Sequence, residues 1–430
     1  MGPAPLLSLS IERAVAGGRM LARHDGIVVL VAGAIPGERV RARVERRTKS
    51  VIWARVEEVV EASPARRPPH VDPRCGGMDY AHIAYAEQLR CKGEIIVDAM
   101  RRIGRLSLPE GVAVAASPEH GYRLRARLHV HRGRAGFFLE GSHTLCDAAT
   151  TGQLRPDSVP AVERLLGEIG GRATAIAAVV IAENVAADQR VLHLEPAEGA
   201  HIDATAIVSA DWTDAGITGV TAAAHGRVVG VTGAAHVTDT ARDLFGDDGT
   251  VVPRGTTWTR QAASFFQANR FLVGSLARAV LEGVEGESVA DLYAGVGLFA
   301  VGLAARGHRV AAVEGDRTSG RDLVANAEPF GERLRPIRAS VEDALGRLGT
   351  ERFDAVVLDP PRTGVSPAAL DAVVRLGAPR IVYVSCDPAT FARDSARLVA
   401  SGYNLTSLQA FDLFPNTAHV ETVAQFGVRS

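Results

Sequence analysis

Cysteine is scarce in this chain: four in 430 residues, with no CxxC pair. Cys75, Cys91, Cys146 and Cys386 lie far apart, so neither a disulfide framework nor a zinc knuckle is expected. No stretch approaches the roughly 18 uninterrupted apolar residues of a membrane span, and Met1 to Ser10 lacks a basic region followed by an apolar core. A cytoplasmic protein with no membrane contact is the expectation. No H-E-x-x-H spacing links His193, His201, His225 and His236, so no metal site is expected either. Net charge is also nearly absent, at −1, but its distribution is uneven. Between Met1 and His70 there are twelve Lys/Arg against seven Asp/Glu. What is present in bulk is ordinary: 47% hydrophobic and 23% charged residues, enough for a large core divided into two to four domains.

From Leu7 to Glu61 short β runs alternate with the turn signals Gly17-Gly18, Asp25-Gly26 and Pro36-Gly37. That spacing predicts a small closed β-barrel of roughly 55 residues, placed at 5–63. Its Gly17-Gly18, Gly26-Ile27-Val28 and Pro36-Gly37-Glu38-Arg39-Val40 segments resemble the turns of a TRAM domain, an OB-like barrel that binds RNA. Pro64 to Pro69 reads as a linker. A central α+β domain is expected over 64–255, with an amphipathic helix from Tyr85 to Ile103 and residues 91–112 packed on the domain that follows. Alternation in Arg123-Leu124-Arg125-Ala126-Arg127 puts three guanidinium groups on one face of a strand, and Arg132 and Arg134 extend the cluster. An anionic partner such as RNA is expected, with Arg123 and Arg125 as contacts.

From Ser288 the pattern becomes strand, glycine loop, helix, strand, which predicts an α/β domain of the Rossmann type over 256–430. Tyr293-Ala294-Gly295-Val296-Gly297-Leu298-Phe299-Ala300 is the loop, and Glu314 ends the second strand, where it would hold a ribose diol. The loop by itself suits NAD and S-adenosylmethionine equally. Asp291, directly before the loop, and the strand Ala355–Asp359 running into Pro360-Pro361-Arg362 separate the two. Both resemble class I methyltransferases.

Three further stretches carry chemistry-bearing residues. Ala263-Ser264-Phe265-Phe266-Gln267-Ala268-Asn269 precedes a helix, and its plain reading is a lead-in with two core phenylalanines. Ile381 to Ser385 is an apolar run ending at Cys386, where Pro388 stops the strand; read alone, Cys386 is a buried structural thiol. Phe411 to Glu421 would by itself be a terminal hairpin with an exposed acid. Taken in order, these stretches resemble the RNA uracil-5-methyltransferase family over nearly the whole chain. The resemblance implies Cys386 as nucleophile at uracil carbon 6, Glu421 as general base and Asp359 as a group orienting the ring. It implies S-adenosylmethionine contacts at Gln267, Tyr293, Gly295, Gly297, Leu298, Glu314 and Asp359. RNA would meet Phe265 and Arg362 in addition to Arg123 and Arg125, and the substrate would be rRNA or tRNA. Many members hold a [4Fe–4S] cluster on four cysteines. Here Cys75 and Cys146 match two of those positions while Pro69 and Met78 fill the others, so no cluster is expected. Leu298 stands where Asn or Thr is common, Ala339-Ser340 lacks an acid that often contacts adenine, and Asp387 follows the nucleophile where Asn is common. Asp387 is expected to point away from the thiol, whose pKa it would otherwise raise. A monomer without protein partners is expected. The alternatives are an RNA-binding protein of this fold that has lost catalysis and acts as a folding factor, and a nicotinamide-dependent enzyme.

Overall fold

A computed structural model describes residues 5–108, 111–202, 213–224, 227–247 and 249–429; His225 lies outside them. In the first 61 residues outward charge and inward apolar side chains alternate with period two. Arg39, Arg41 and Arg43 face out, while Val40 and Ala42 are buried. Five strands, Leu6–Ala14, Met20–His24, Ile27–Ala32, Arg39–Arg47 and Val51–Glu61, close into a barrel. Closure comes from antiparallel pairing of Leu6–Ser10 with Arg39–Arg43, which leaves no free edge. The barrel core of Leu9, Ile11, Val29, Val31 and Ile52 continues into Tyr80, Ile83, Cys91 and Ile95.

The Pro64–Pro69 segment is a clamp rather than a loose linker. Arg66 donates from Nε and Nη2 to the two carboxylate oxygens of Glu38, 2.6 Å each, and Glu38 is fully buried in the barrel. Arg67 reaches Glu119 and donates to Asn416 Oδ1 at 2.8 Å. Proline fixes the backbone here, and the two arginines fix its direction.

The central domain is a seven-stranded sheet in the order Arg227–Gly233, Gly219–Ala224, Arg190–Pro196, Ile176–Glu183, Arg125–His131, Arg134–Phe138, Leu145–Asp147. Helix Ser158–Ile169 packs Val162, Leu165 and Leu166 on one face, against Leu128, Val179 and Ile181. Two expectations are corrected here. Cys75 and Cys146 are joined by a disulfide, with Cα atoms 5.9 Å apart despite a sequence separation of 71. The fold brings them together because Cys75 bridges Leu139 and because Arg134–Phe138 pairs with Leu145–Asp147. The boundary expected at 255/256 also falls earlier. His236–Thr240 pairs with Thr257–Gln261, and Ala241, Leu244, Phe245, Val251 and Val252 pack into the core of the last domain.

The last domain is an eight-stranded sheet in the order Leu334–Arg338, Arg309–Glu314, Ser288–Leu292, Ala355–Leu358, Arg380–Ser385, Glu421–Val428, Tyr403–Phe411, Val114–Ala115. The first five strands are parallel; the four inside the sheet are almost wholly buried, Ala355–Leu358 being apolar throughout, while Leu334–Arg338 at the edge carries two arginines. The order reverses between Ser288–Leu292 and Ala355–Leu358, so the carboxyl ends of these strands flank a crevice. The edge strand Val114–Ala115 comes from outside the domain. It follows helix Tyr85–Ala99, whose Ile96 and Ala99 pack with Met100 against Phe391 and Ala392. Gly104 suits this close contact: a Cβ there would lie 3.0 Å from the Ala392 carbonyl oxygen, so the two segments would have to move apart by a few tenths of an ångström.

Lys92 on this helix is fully buried and pairs with fully buried Asp412, also donating to Phe414 O at 3.1 Å. It ties the first part of the chain to the segment preceding Glu421. Lys92→Met would leave an uncompensated buried carboxylate. It is expected to destabilise the protein by about 3–5 kcal/mol in urea unfolding, with most of the loss recovered in Lys92→Met/Asp412→Leu. A single-variant loss below about 1 kcal/mol would contradict this.

Candidate active site

Four carboxyl-end segments and one lead-in loop converge on a cavity of about 660 Å³. Its wall includes Phe265, Gln267, Tyr293, Gly295, Leu298, Glu314, Asp359, Arg362, Cys386 and Glu421. Gly297 does not line it; its positive φ of 93° begins the helix Leu298–Ala305, and a Cβ there would meet Leu323 at 2.9 Å. Tyr293, a non-glycine residue, also holds a left-handed φ of 65°. Such backbone is uncommon and clusters where a loop must be shaped for a ligand.

Glu314 folds back on this loop. One of its oxygens accepts from Gly295 N at 2.7 Å and the other from Asp316 N at 2.5 Å. A Cβ built at Gly295 meets nothing within 4 Å, so the loop borders open space. A carboxylate beside an open glycine loop fits the ribose of S-adenosylmethionine, and the apolar walls of Leu298 and Phe299 fit its adenine. Asp291 is fully buried beneath the loop, and neither of its carboxylate oxygens has a hydrogen-bond partner. Burial, and then the nearby Asp359, push its pKa well above the carboxylate range. It was noticed in the sequence only as the acid preceding the loop.

Gln267 and its neighbours show why the lead-in has its composition. Asn269 Oδ1 accepts from Phe271 N and Leu272 N at the start of helix Val273–Glu282, while its Nδ2 donates to Ser117 Oγ and Leu413 O. That pins the loop to the segment before Glu421. The two phenylalanines divide: Phe266 is buried with the Arg260 guanidinium 3.8 Å over its ring, whereas Phe265 is 61% exposed at the cavity. Gln267 Nε2 donates to Asp359 Oδ2 at 3.1 Å.

Cys386 follows the buried strand Arg380–Ser385 and is half-buried, with a free thiol. Asp387 caps the next helix, Pro388–Ala400, accepting from Ala389 N at 3.0 Å and Thr390 N at 2.8 Å, so its carboxylate is turned to the helix end. Burial, followed by the charge of Glu421, pushes the Cys386 thiol up to about 12, opposed by Arg362. Glu421 is 3% exposed, not an exposed hairpin acid. Burial and then Asp359 raise it well above its usual range, again opposed by Arg362. Asp359 is pushed up to about 7 by burial, against the Gln267 hydrogen bond. Burial also pushes His419 down to about 4, so its neutral Nε2 faces Arg362 Nη2 at 3.5 Å.

These raised acids set a sign for stability against pH. Asp359 holds its proton more tightly folded than unfolded, so its contribution is full below about 4 and is lost as pH rises through about 7. Glu421 acts in the same direction. Asp359→Asn/Glu421→Gln should therefore gain Tm relative to the parent protein as pH rises from 4 to 8. A gap that stays constant across this range would contradict the sign.

The arginine cluster is only partly at the site. Arg125 lines the cavity and donates to Ala262 O and Ala263 O, 3.2 Å each. Arg123 instead donates to Gln153 Oε1 at 2.6 Å and to Arg125 O, beside Phe137. It precedes the strand Arg125–His131 and its donors serve the fold. Arg127 pairs with Glu195.

Residues 238–426 match the family model described as tRNA (uracil-5-)-methyltransferase. An uncharacterized RNA methyltransferase of Streptomyces avermitilis is 32% identical, with 95% of each chain covered. The 23S rRNA (uracil(1939)-C(5))-methyltransferase RlmD of Hahella chejuensis is 30% identical over 99% of this chain and 98% of its own. The crystal structure of Pyrococcus abyssi tRNA (uracil-54, C5)-methyltransferase in complex with S-adenosyl-L-homocysteine shares the fold, with a TM-score of 0.72 and 24% identity over 97% of this chain and 99% of that one. Among the described residues no cluster of side chains suited to a metal ion is found, and no helix is long and apolar enough to cross a membrane. The chain belongs to the RNA uracil-5-methyltransferase family, S-adenosylmethionine-dependent enzymes whose substrate is RNA.

Proposed function

We propose that this enzyme methylates carbon 5 of one uridine in large-subunit rRNA through a covalent bond between Cys386 and carbon 6 of the base. The observation that supports this most is that Cys386 and Glu421, 35 positions apart in sequence, line one cavity with the glycine loop. The Hahella chejuensis relative, 30% identical over nearly the whole chain, is named for 23S rRNA, which makes that RNA the first choice. The barrel at 5–63 and the sheet between it and the catalytic domain are assigned to RNA binding.

Carbon 5 of uracil is a weak nucleophile. Addition of the Cys386 thiolate to carbon 6 forms a C–S bond and moves the π electrons onto carbon 5 and the carbonyl at carbon 4. In the free enzyme the thiol is protonated, and Arg362 is the cation that favours thiolate as the base enters. Asp359 and Gln267 hold the polar edge of the ring, and Arg362 stabilises the enolate charge. S-adenosylmethionine, when bound on Gln267, Tyr293, Gly295, Leu298, Glu314 and Asp359, supplies the electrophilic methyl group whose bond to sulfur breaks as the bond to carbon 5 forms. Glu421, whose ionised form Arg362 favours, then takes the proton from carbon 5. The electrons of that C–H bond restore the double bond and expel the Cys386 thiolate. Phe265, exposed at the rim, stacks in this reading on a base extruded from the RNA, since a stacked uracil is out of reach.

Incubation with labelled S-adenosylmethionine and rRNA from a strain lacking this gene tests the reading. Labelled 5-methyluridine in large-subunit rRNA is the expected product; label on another base, or on no cellular RNA, would sink it.

A further inference from the structure

Seven of the ten cationic side chains on the barrel face a carboxylate: Arg13, Arg19, Arg23, Arg39, Arg41, Arg43 and Arg55. Among the described residues, the three without an acidic partner are Arg46, Arg47 and Lys49. They sit together at the tip of the hairpin joining Arg39–Arg47 to Val51–Glu61, and all three are exposed. The unpaired positive charge of the barrel is thus concentrated at one point, because carboxylates of the barrel and, outside it, Asp98 and Glu140 face the rest. The tip is pinned by Thr48 N donating to Val51 O at 2.8 Å and Val51 N donating to Thr48 Oγ1 at 3.1 Å. Arg46 lies over the indole of Trp53, its cross-strand partner, 3.7 Å from the ring centroid. Stacking occupies the guanidinium face and leaves its in-plane N–H donors available for phosphate oxygens. No carboxylate has to be displaced before an anion binds.

We propose that this hairpin tip anchors the phosphodiester backbone of the substrate RNA, apart from the catalytic cavity, which none of its residues lines. The proposal rests on RNA being the substrate. It concerns positioning, since phosphate contacts fix register without reading sequence.

Filter binding of labelled, protein-free large-subunit rRNA across a salt series tests it. Arg46→Ala/Arg47→Ala/Lys49→Ala is expected to weaken binding about 100-fold near 0.1 M salt and to lower the slope of log K against log salt by about two. Trp53→Leu keeps every charge and is expected to weaken binding about three-fold, as Arg46 loses its support. Arg39→Ala/Arg41→Ala/Arg43→Ala removes as many positive charges from paired positions and is expected to change affinity less than about five-fold. Equal losses in both triple variants, or an unchanged slope in the first, would overturn the anchor. In methyl transfer the tip variant should raise KM and keep kcat within about two-fold, and an unchanged KM would also overturn it. A parent protein that binds this RNA through the tip but methylates no uracil would sink the reaction and leave the anchor standing.

Discussion

Cys386→Ala is expected to reduce methyl transfer to RNA by a factor on the order of 10⁴ or more while leaving S-adenosylmethionine binding within about two-fold. The reason is chemical rather than structural. Without a nucleophile at carbon 6, carbon 5 of uracil is too weak a nucleophile to attack a sulfonium methyl group. No other sulfur can substitute. Cys91 is buried, its thiol pushed up to about 12 mainly by burial, and Cys75 and Cys146 are joined to each other. A half-buried side chain at the end of a strand is also a mild place for a substitution, so the variant should fold. Turnover within ten-fold of the parent enzyme, measured with tritiated methyl donor, would remove Cys386 from the reaction.

Glu421→Gln is expected to do something different: complete the first half of the reaction and stall. Glutamine is isosteric, and it removes the charge that, after burial, raises the Cys386 thiol. Addition and methyl transfer should therefore proceed, but no base takes the carbon 5 proton. Release is expected to slow by about 10²–10⁴-fold, leaving methylated RNA covalently attached to the protein. The band should resist SDS and carry label from the methyl donor. Free methylated RNA released at the parent rate would move the base role to another group.

The fold was largely legible because its cues were local. Alternation from Arg39 to Arg43 and Gly-containing turns predicted a barrel. The run Ala355–Leu358, breaking at Asp359-Pro360-Pro361, marked a buried parallel strand whose end lines the cavity. The position of Cys386 at a strand end was legible for the same reason, a strand stopped by Pro388. What could not be read depends on partners distant in sequence. Lys92 and Asp412 are 320 positions apart, and nothing near either residue announces the other. Cys75 and Cys146 stand at two of four cluster positions by the family resemblance, and it takes the strand pairing that aligns them to reveal a disulfide instead. Arg123, Arg125 and Arg127 alternate as a strand face should, yet their environments differ. Alternation fixes direction and says nothing of the acceptors waiting there, Gln153 for Arg123 and Glu195 for Arg127. The boundary near residue 255 misled because His236–Thr240 is a short polar strand whose partner, Thr257–Gln261, belongs to the next domain. Glu421 shows the same limit: its sequence suits an exposed hairpin, and only the sheet order, which seats it beside Arg380–Ser385, buries it.

The central claim is the bond between Cys386 and uracil carbon 6. RNA transcribed with 5-fluorouridine tests it directly, because fluorine replaces the proton that Glu421 would remove and the reaction halts as an adduct. After incubation with S-adenosylmethionine, nuclease treatment and trypsin, mass spectrometry should find a methylated fluorouridine nucleotide on the peptide Ile381–Arg393, at Cys386. Methylation of unsubstituted RNA accompanied by no such adduct, or an adduct on any other residue, would contradict the account.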